Sequence, residues 1–133
     1  WEGVDIQGLG LRLVVIPRVP FPNRSDALLA ARKKLFIDRC LSTGMDQKKA
    51  ELKAFGEFDV MIAGTDLAQG VGRLIRSETD KGVVAVLDGR MHLGAKKYTP
   101  VLRSCIPHAF TNNKVLVHKF LGMCADQHDK QAT

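Results

Sequence analysis

Two arginines and a glutamine in residues 69–76, with the sequence QGVGRLIR, have the types and spacing of a phosphate-binding site. At about 100° per residue, Gln69, Arg73 and Arg76 fall on one face of a helix, within about 60° of one another. The opposite face carries the apolar residues Leu67, Val71, Leu74 and Ile75. Because the arginine fork of N–H donors matches phosphate oxygens, this face could bind the polyphosphate of a nucleotide.

Gly70 and Gly72 lie inside the same predicted helix. Each interior glycine costs about 1 kcal/mol relative to alanine, and like charges three residues apart repel slightly. Glycine lets a backbone approach a ligand or a neighbouring domain closely, so ligand binding would offset these local costs. The alternative is a solvated arginine face above a buried apolar stripe, with Arg76 paired to Asp80. The residue pattern leaves both interpretations open.

Two longer segments resemble conserved helicase motifs. Residues 69–90, QGVGRLIRSETDKGVVAVLDGR, resemble the sixth motif of the second helicase superfamily, in the form found in DinG-type DNA helicases, which are relatives of XPD. Residues 1–21, WEGVDIQGLGLRLVVIPRVPF, resemble the fifth motif and the strand that follows it. The resemblance extends over residues 1–106. The sequence departs from the family pattern at Gln7, where proline is frequent, and at Pro17, which precedes Arg18 where another residue is usual.

The resemblance implies roles in ATP hydrolysis for the residues of these motifs. Arg76 is the expected arginine finger on the γ-phosphate, and Arg73 a second phosphate contact or a link to the neighbouring motifs. Gln69 is expected to orient the γ-phosphate or the attacking water. The residues expected to bind ATP or to couple nucleotide state to the grip on DNA are Glu2, Gly3, Asp5, Gly70 and Gly72.

The predicted fold class is α/β. Apolar runs at residues 11–16 and 82–87 predict strands that are buried on both faces of a parallel sheet. The predicted helices span residues 26–41, 46–54, 58–76, 96–106 and 112–125, with a short strand at 109–111. With the resemblance, this order implies an incomplete RecA-like domain with a mostly parallel sheet flanked by helices. Asp88 and Arg90 follow the second strand at the edge where such sheets bind ligands, although a local ion pair is the favoured interpretation.

The domain prediction assigns residues 1–106 to the C-terminal part of the second helicase motor domain, with motifs five and six. Residues 107–133 are predicted to be the last helix and the tail of the same domain. Because Trp1 falls inside the fifth motif, we expect the chain to be a fragment of a longer helicase. The 133 residues contain neither a GxxxxGK[ST] phosphate loop nor a DExH-like segment. We therefore expect ATP and Mg²⁺ to be bound mainly by a first RecA-like domain outside this chain, and the fragment alone to be inactive.

Composition restricts the possible partners only loosely. Twenty Lys and Arg against fourteen Asp and Glu give a net charge of +6, which suits a polynucleotide or simply solubility. Arg32, Lys33 and Lys34 are weak candidates for nucleic-acid binding, since such clusters usually form a solvated face. Single-stranded DNA is the expected partner, and the family implies movement from the five-prime toward the three-prime end. The alternative function is a non-catalytic α/β module that binds nucleic acid or a protein partner.

Other functional classes receive little support from the sequence. Three cysteines without a CxxC pair suggest neither a disulfide framework nor a metal site, and nothing in the chain could ligate an iron–sulfur cluster. The four histidines lack the spacing of metal ligands. No apolar run approaches the length of a membrane span. We therefore expect a cytoplasmic protein with no membrane partner.

Overall fold

The computed structural model describes residues 12–74, 81–106 and 108–129, with only the backbone described for 124–129. The elements follow one another as β1 (Leu13–Ile16), α1 (Ala27–Ser42), α2 (Gln47–Ala54), a π-helical segment (Phe55–Val60) and α3 (Met61–Gly72). They continue with β2 (Val83–Val86), a 3-10 turn (Gly89–Met91), α4 (Thr99–Ser104) and α5 (Lys114–Asp129). The fold is α/β, and the described strands form a parallel pair.

Strands β1 and β2 pair in parallel, with Leu13 opposite Val83 and Ile16 opposite Val86. Alternate residues of a strand point to opposite faces, and only one face of β1 is covered. Val14 and Ile16 are buried in the core, whereas Leu13 and Val15 are 46% and 45% exposed. The prediction that this run is buried on both faces is therefore wrong for the described part of the chain, where the helices that share its core lie on a single face.

Helix α1 begins after Asp26, whose carboxylate accepts hydrogen bonds from the backbone N–H groups of Leu28 and Leu29. The sequence predicts a cap at Ser25 or Asp26, which is confirmed for Asp26. It also predicts a buried side with Leu28, Leu29, Leu35 and Phe36, which is correct at only two of these positions. Leu28 and Leu35, expected to be buried, are 62% and 68% exposed. Leu29 and Phe36 lie on the inner face as predicted, together with Lys33, Ile37 and Cys40.

One helical run extends from α2 through the π-helical segment into α3, where the sequence predicted two separate helices. Asp46 caps its start by accepting a hydrogen bond from Lys49 N–H. The π-helical segment places Phe58 edge-on against Phe36 of α1, with ring centroids 5.6 Å apart. Contacts between α1 and this segment therefore hold the run together where local sequence pattern indicated a break.

The core lies between the covered face of β1, α3 and the segment from the 3-10 turn to Ile106. Two glycines permit its closest approaches. A Cβ at Gly64 would lie 2.6 Å from Cys105 Sγ, and one at Gly82 would lie 2.9 Å from the backbone oxygen of Arg12. A larger side chain at Gly64 would therefore require Cys105 to shift, and one at Gly82 would press on the backbone of Arg12.

The C-terminal elements differ in their bounds from the predictions. Helix α4 covers Thr99–Ser104 and is shorter than predicted, because Pro100 lies in its first turn. Residues 109–111 form no strand. The sequence predicts Asn112 as the cap of the last helix, but Asn113 caps α5 by accepting hydrogen bonds from Val115 and Leu116 N–H. None of the helices in the described residues is long and apolar enough to cross a membrane.

Candidate functional site

The end of α3 carries the described part of the predicted nucleotide site. Leu67, Val71 and Leu74 are buried, and Gln69 on the opposite side is exposed. The predicted amphipathic pattern is confirmed for these residues. Arg73 is half-buried and makes contacts within the protein.

The helix ends earlier than predicted. Its last residue is Gly72, Arg73 caps it, and Leu74 N–H closes the final turn on the Val71 carbonyl oxygen at 2.9 Å. The predicted helix continued to about Arg76, whereas α3 ends at Gly72, and Arg76 lies outside the described residues. Gln69 lies in the last turn of α3, and Arg73 follows it as the cap of the helix.

Gly70 and Gly72 differ in their surroundings. Gly70 is buried with Ala63 and Gly64 on the side of α3 that faces the core. Gly72 is exposed, and a Cβ placed on it would meet no atom within 4 Å. Packing within the described residues therefore gives no reason for a small residue at position 72.

The remaining residues predicted to act at the nucleotide lie outside the described residues. These are Arg76 in the sixth motif and Glu2, Gly3 and Asp5 in the fifth. The site is described for Gln69, Gly70, Gly72 and Arg73.

A second polar centre lies where both strands end. The Asp88 carboxylate accepts a hydrogen bond from Val19 N–H at 2.8 Å and from Arg90 N–H at 2.9 Å. The Arg90 guanidinium binds the same carboxylate through Nε at 2.9 and 3.0 Å and through a terminal nitrogen at 2.5 Å. The favoured prediction of a local ion pair is confirmed. The side-chain hydrogen bond from Arg90 is the main cause that holds the pKa of Asp88 far below its usual range, and Asp88 raises the pKa of Arg90.

Besides the Asp88 carboxylate, an aromatic ring contacts the Arg90 side chain. Its guanidinium carbon lies 4.9 Å from the centroid of the Phe21 ring, within the range of a cation–π contact. Phe21, Phe55 and Tyr98 pack as a trio with centroids 5.5 to 5.8 Å apart. The sequence predicts core packing for Phe21 over nucleic-acid contact, and Phe21 does pack against the core. Arg90 is held between a carboxylate and an aromatic ring.

The basic cluster on α1 is divided by the structure. Lys33 Nζ lies 2.6 Å from a carboxylate oxygen of Asp59 in the π-helical segment, and Asp59 is 7% exposed. Arg32 and Lys34 are exposed. A solvated face is thus the correct description for these two residues but not for Lys33. Sequence analysis missed the partner, although an aspartate between Phe58 and Val60 was a usable signal, since acids within apolar stretches need a partner when buried.

The chemical groups at the end of α3 suit a phosphate better than a metal. An amide and a guanidinium are hydrogen-bond donors, which phosphate oxygens accept. Among the described residues no group of three His, Cys, Asp or Glu side chains could hold a metal ion. We accordingly assign no Mg²⁺ ligand to this part of the chain.

Comparison with known proteins shows that this chain is similar to helicases. The family described as helicase C-terminal domain matches residues 1–109. An ATP-dependent helicase DinG from Mycobacterium tuberculosis is 41% identical over 107 residues, which are 80% of this chain and 14% of that protein. The ATP-dependent DNA helicase YoaA of Escherichia coli is 41% identical over 91 residues, 68% of this chain and 13% of the relative.

A relative with another printed activity also matches. The 3'-5' exonuclease DinG of Staphylococcus saprophyticus is 32% identical over 91 residues, covering 68% of this chain and 8% of that protein. The chain thus spans 14% or less of the length of these three relatives. No solved structure matches the chain.

Proposed function

The chain belongs to the helicase C-terminal domain family, and from that premise we propose that it forms the ATP-facing part of the second motor domain of an ATP-dependent DNA helicase. The observation that carries this proposal is the end of α3. Leu67 and Val71 are fixed in the core, while Gln69 stays in solvent beside the open space at Gly72. Polar groups held in this way can meet a ligand presented by another domain with little rearrangement.

The motif residues have distinct roles in this proposal. During phosphoryl transfer, negative charge spreads over the oxygens of the γ-phosphate, and a guanidinium stabilises that charge. Arg76 acts as this arginine finger, and Arg73 contacts a second phosphate or links the neighbouring motifs. Gln69 orients the γ-phosphate or the attacking water. The fifth-motif residues that couple nucleotide state to the grip on single-stranded DNA are Glu2, Gly3 and Asp5.

The first RecA-like domain of the same helicase is the partner that this proposal requires. It supplies the phosphate loop and the Mg²⁺ ligands, neither of which is assigned to these 133 residues. Since half of a nucleotide site cannot surround the phosphates, the 133-residue chain alone should show no measurable ATPase and at best millimolar affinity for ATP. Calorimetric titration with ATP measures this, and tight binding by the isolated chain would contradict the division of roles.

The arginine finger is tested in the full-length helicase. Arg76→Ala should lower DNA-stimulated ATP turnover by about 10³- to 10⁵-fold, as fingers do in related chemistry, with only modest weakening of ATP binding. Arg24→Ala, at an exposed arginine before α1, is the matched control and should leave turnover unchanged. Turnover near the wild-type value in Arg76→Ala would show that Arg76 is not the finger.

The alternative function, a nucleic-acid-binding module acting through α1, is weaker. That module would use the cations Arg32, Lys33 and Lys34, and Asp59 already pairs with Lys33. Two exposed cations, Arg32 and Lys34, remain, whereas single-strand binders combine a positively charged groove with aromatic side chains on which bases stack. Salt-dependent binding of single-stranded DNA that is lost in an Arg32→Ala, Lys34→Ala double variant would favour this alternative over the motor.

A further inference from the structure

The carboxyl ends of both strands open into one cleft. Because β1 and β2 are parallel and in register, the residues that follow them meet at the same edge of the sheet. These residues line a cleft of about 430 Å³ and are Pro17, Arg18, Leu87, Asp88, Gly89 and Arg90. Ligands of open α/β sheets bind at this edge, and a volume of this size is within the range of small-ligand sites.

The two arginines of the cleft differ in whether their charge is available to bind a ligand. Arg90 is held by the Asp88 carboxylate and lies over the Phe21 ring, so its charge is compensated within the protein. Arg18 is exposed and, among the described residues, forms no hydrogen bond or ion pair. The three charged side chains therefore leave one net positive charge, and it resides on Arg18.

The charge of the cleft suits a phosphodiester better than a terminal phosphate. Its lining is mostly polar, and its one net positive charge equals the single negative charge of a phosphodiester. A terminal phosphate with two charges would be compensated only in part.

We propose that this cleft binds one backbone phosphate of single-stranded DNA, with Arg18 as the phosphate-binding residue and Asp88 as the group that keeps Arg90 out of the contact. The proposal rests on the helicase function proposed above. It adds a DNA contact at the sheet edge, on a residue that neither the fifth nor the sixth motif includes.

The test measures binding of a fluorescein-labelled oligothymidylate to the full-length helicase by fluorescence anisotropy, between about 50 and 200 mM salt. Arg18→Ala should weaken binding roughly three- to tenfold and reduce the slope of log affinity against log salt by about 0.7, the value for one single-strand phosphate. Arg18→Lys keeps the charge and should restore the slope. Arg24→Ala removes an exposed arginine that does not line the cleft and should match the wild type.

A purely structural role for Arg18 would not change the salt slope. If Arg18→Ala and Arg24→Ala have the same affinity and slope, the cleft does not bind a DNA phosphate. If Arg18→Ala instead weakens binding of a fluorescent ATP analogue and spares the oligothymidylate, the phosphate belongs to a nucleotide and the DNA assignment is wrong. If the wild-type helicase neither binds the oligothymidylate nor shows DNA-stimulated ATPase, the proposed function itself fails, which is a different result.

Discussion

Asp88 is expected to be the most stabilising polar side chain among the described residues at the sheet edge, and Asp88→Ala tests this. The substitution removes the acceptor of the buried Val19 N–H, which costs about 1–3 kcal/mol when a buried donor is left unpaired. It also leaves the Arg90 guanidinium without its partner. Because the Arg90 side chain is 37% exposed, water can solvate it, and this loss adds only about 1 kcal/mol. The free energy of unfolding should fall by about 2–4 kcal/mol in total.

The assay is urea denaturation of the purified protein followed by circular dichroism at pH 7. Asp88→Asn keeps an oxygen that can accept from Val19 N–H but loses the charge, so it should cost about 1–2 kcal/mol, less than the alanine variant. Asp38→Ala, which removes an exposed aspartate of α1, is the matched control and should change stability by less than about 0.5 kcal/mol. If Asp88→Ala changed stability no more than this control, the contacts of Asp88 would contribute nothing and the reasoning would be refuted.

The pH dependence gives an independent check on the charge of Asp88. The pKa of its carboxyl is lowered in the folded protein, chiefly by the hydrogen bond from the Arg90 side chain. A lowered folded-state pKa stabilises the protein above the unfolded-state pKa, which is about 3.9, and this stabilisation is lost as the pH falls toward the folded-state value. The stability difference between wild type and Asp88→Asn should therefore be full at pH 7 and shrink below about pH 4.

Three further substitutions test other contacts, each with its own measurement. Lys33→Met should lower the free energy of unfolding by about 1–3 kcal/mol, because it leaves the buried Asp59 carboxylate without its cation, whereas Arg32→Ala should have almost no effect in the same urea titration. Gly82→Ala should cost about 1–3 kcal/mol in thermal or urea unfolding, because its Cβ would press on the Arg12 backbone oxygen; wild-type stability would show that the strands can separate freely at this point. Gly72→Ala should leave stability unchanged or raise it by up to about 1 kcal/mol, yet it should lower ATPase turnover of the full-length helicase if a ligand or domain approaches there; unchanged turnover would remove Gly72 from the site.

Features encoded over a few residues could be predicted from the sequence. The valine-rich runs predicted both strands, and the Ser25-Asp26 pair before a helical segment predicted the cap at Asp26. The Asp88–Arg90 pair could also be predicted from the sequence, because its two residues are only two positions apart. In each case the physical cause, a strand propensity, an unpaired N–H group or a neighbouring charge, lies within one turn of chain.

Features that depend on distant contacts could not be predicted. The bond from Val19 to Asp88 joins residues 69 positions apart, and the Lys33–Asp59 pair spans 26 positions. The Lys33–Asp59 pair helps to determine which side of α1 faces inward. A small rotation of this helix about its axis would change which of its leucines are buried. The π-helical segment likewise continues a helix through Gly56, where local propensity favours a break. The α3 face was predicted correctly because its apolar stripe is continuous, but the early end of the helix was not.

The two ion pairs change how the basic residues of this chain relate to its function. Lys33 and Arg90 both appeared among the cations that could meet a phosphate, yet each is bound by an aspartate of the same chain. The excess positive charge of the protein is therefore a poor guide to its ligand sites, because part of it serves the fold. What distinguishes Gln69, Gly72 and Arg18 is that burial and packing within the described residues do not account for them. Their exposed positions beside a fixed core or sheet edge are the arrangement that a motor domain needs, since its ligands must be gripped and released without unfolding the helices and strands that carry the contacts.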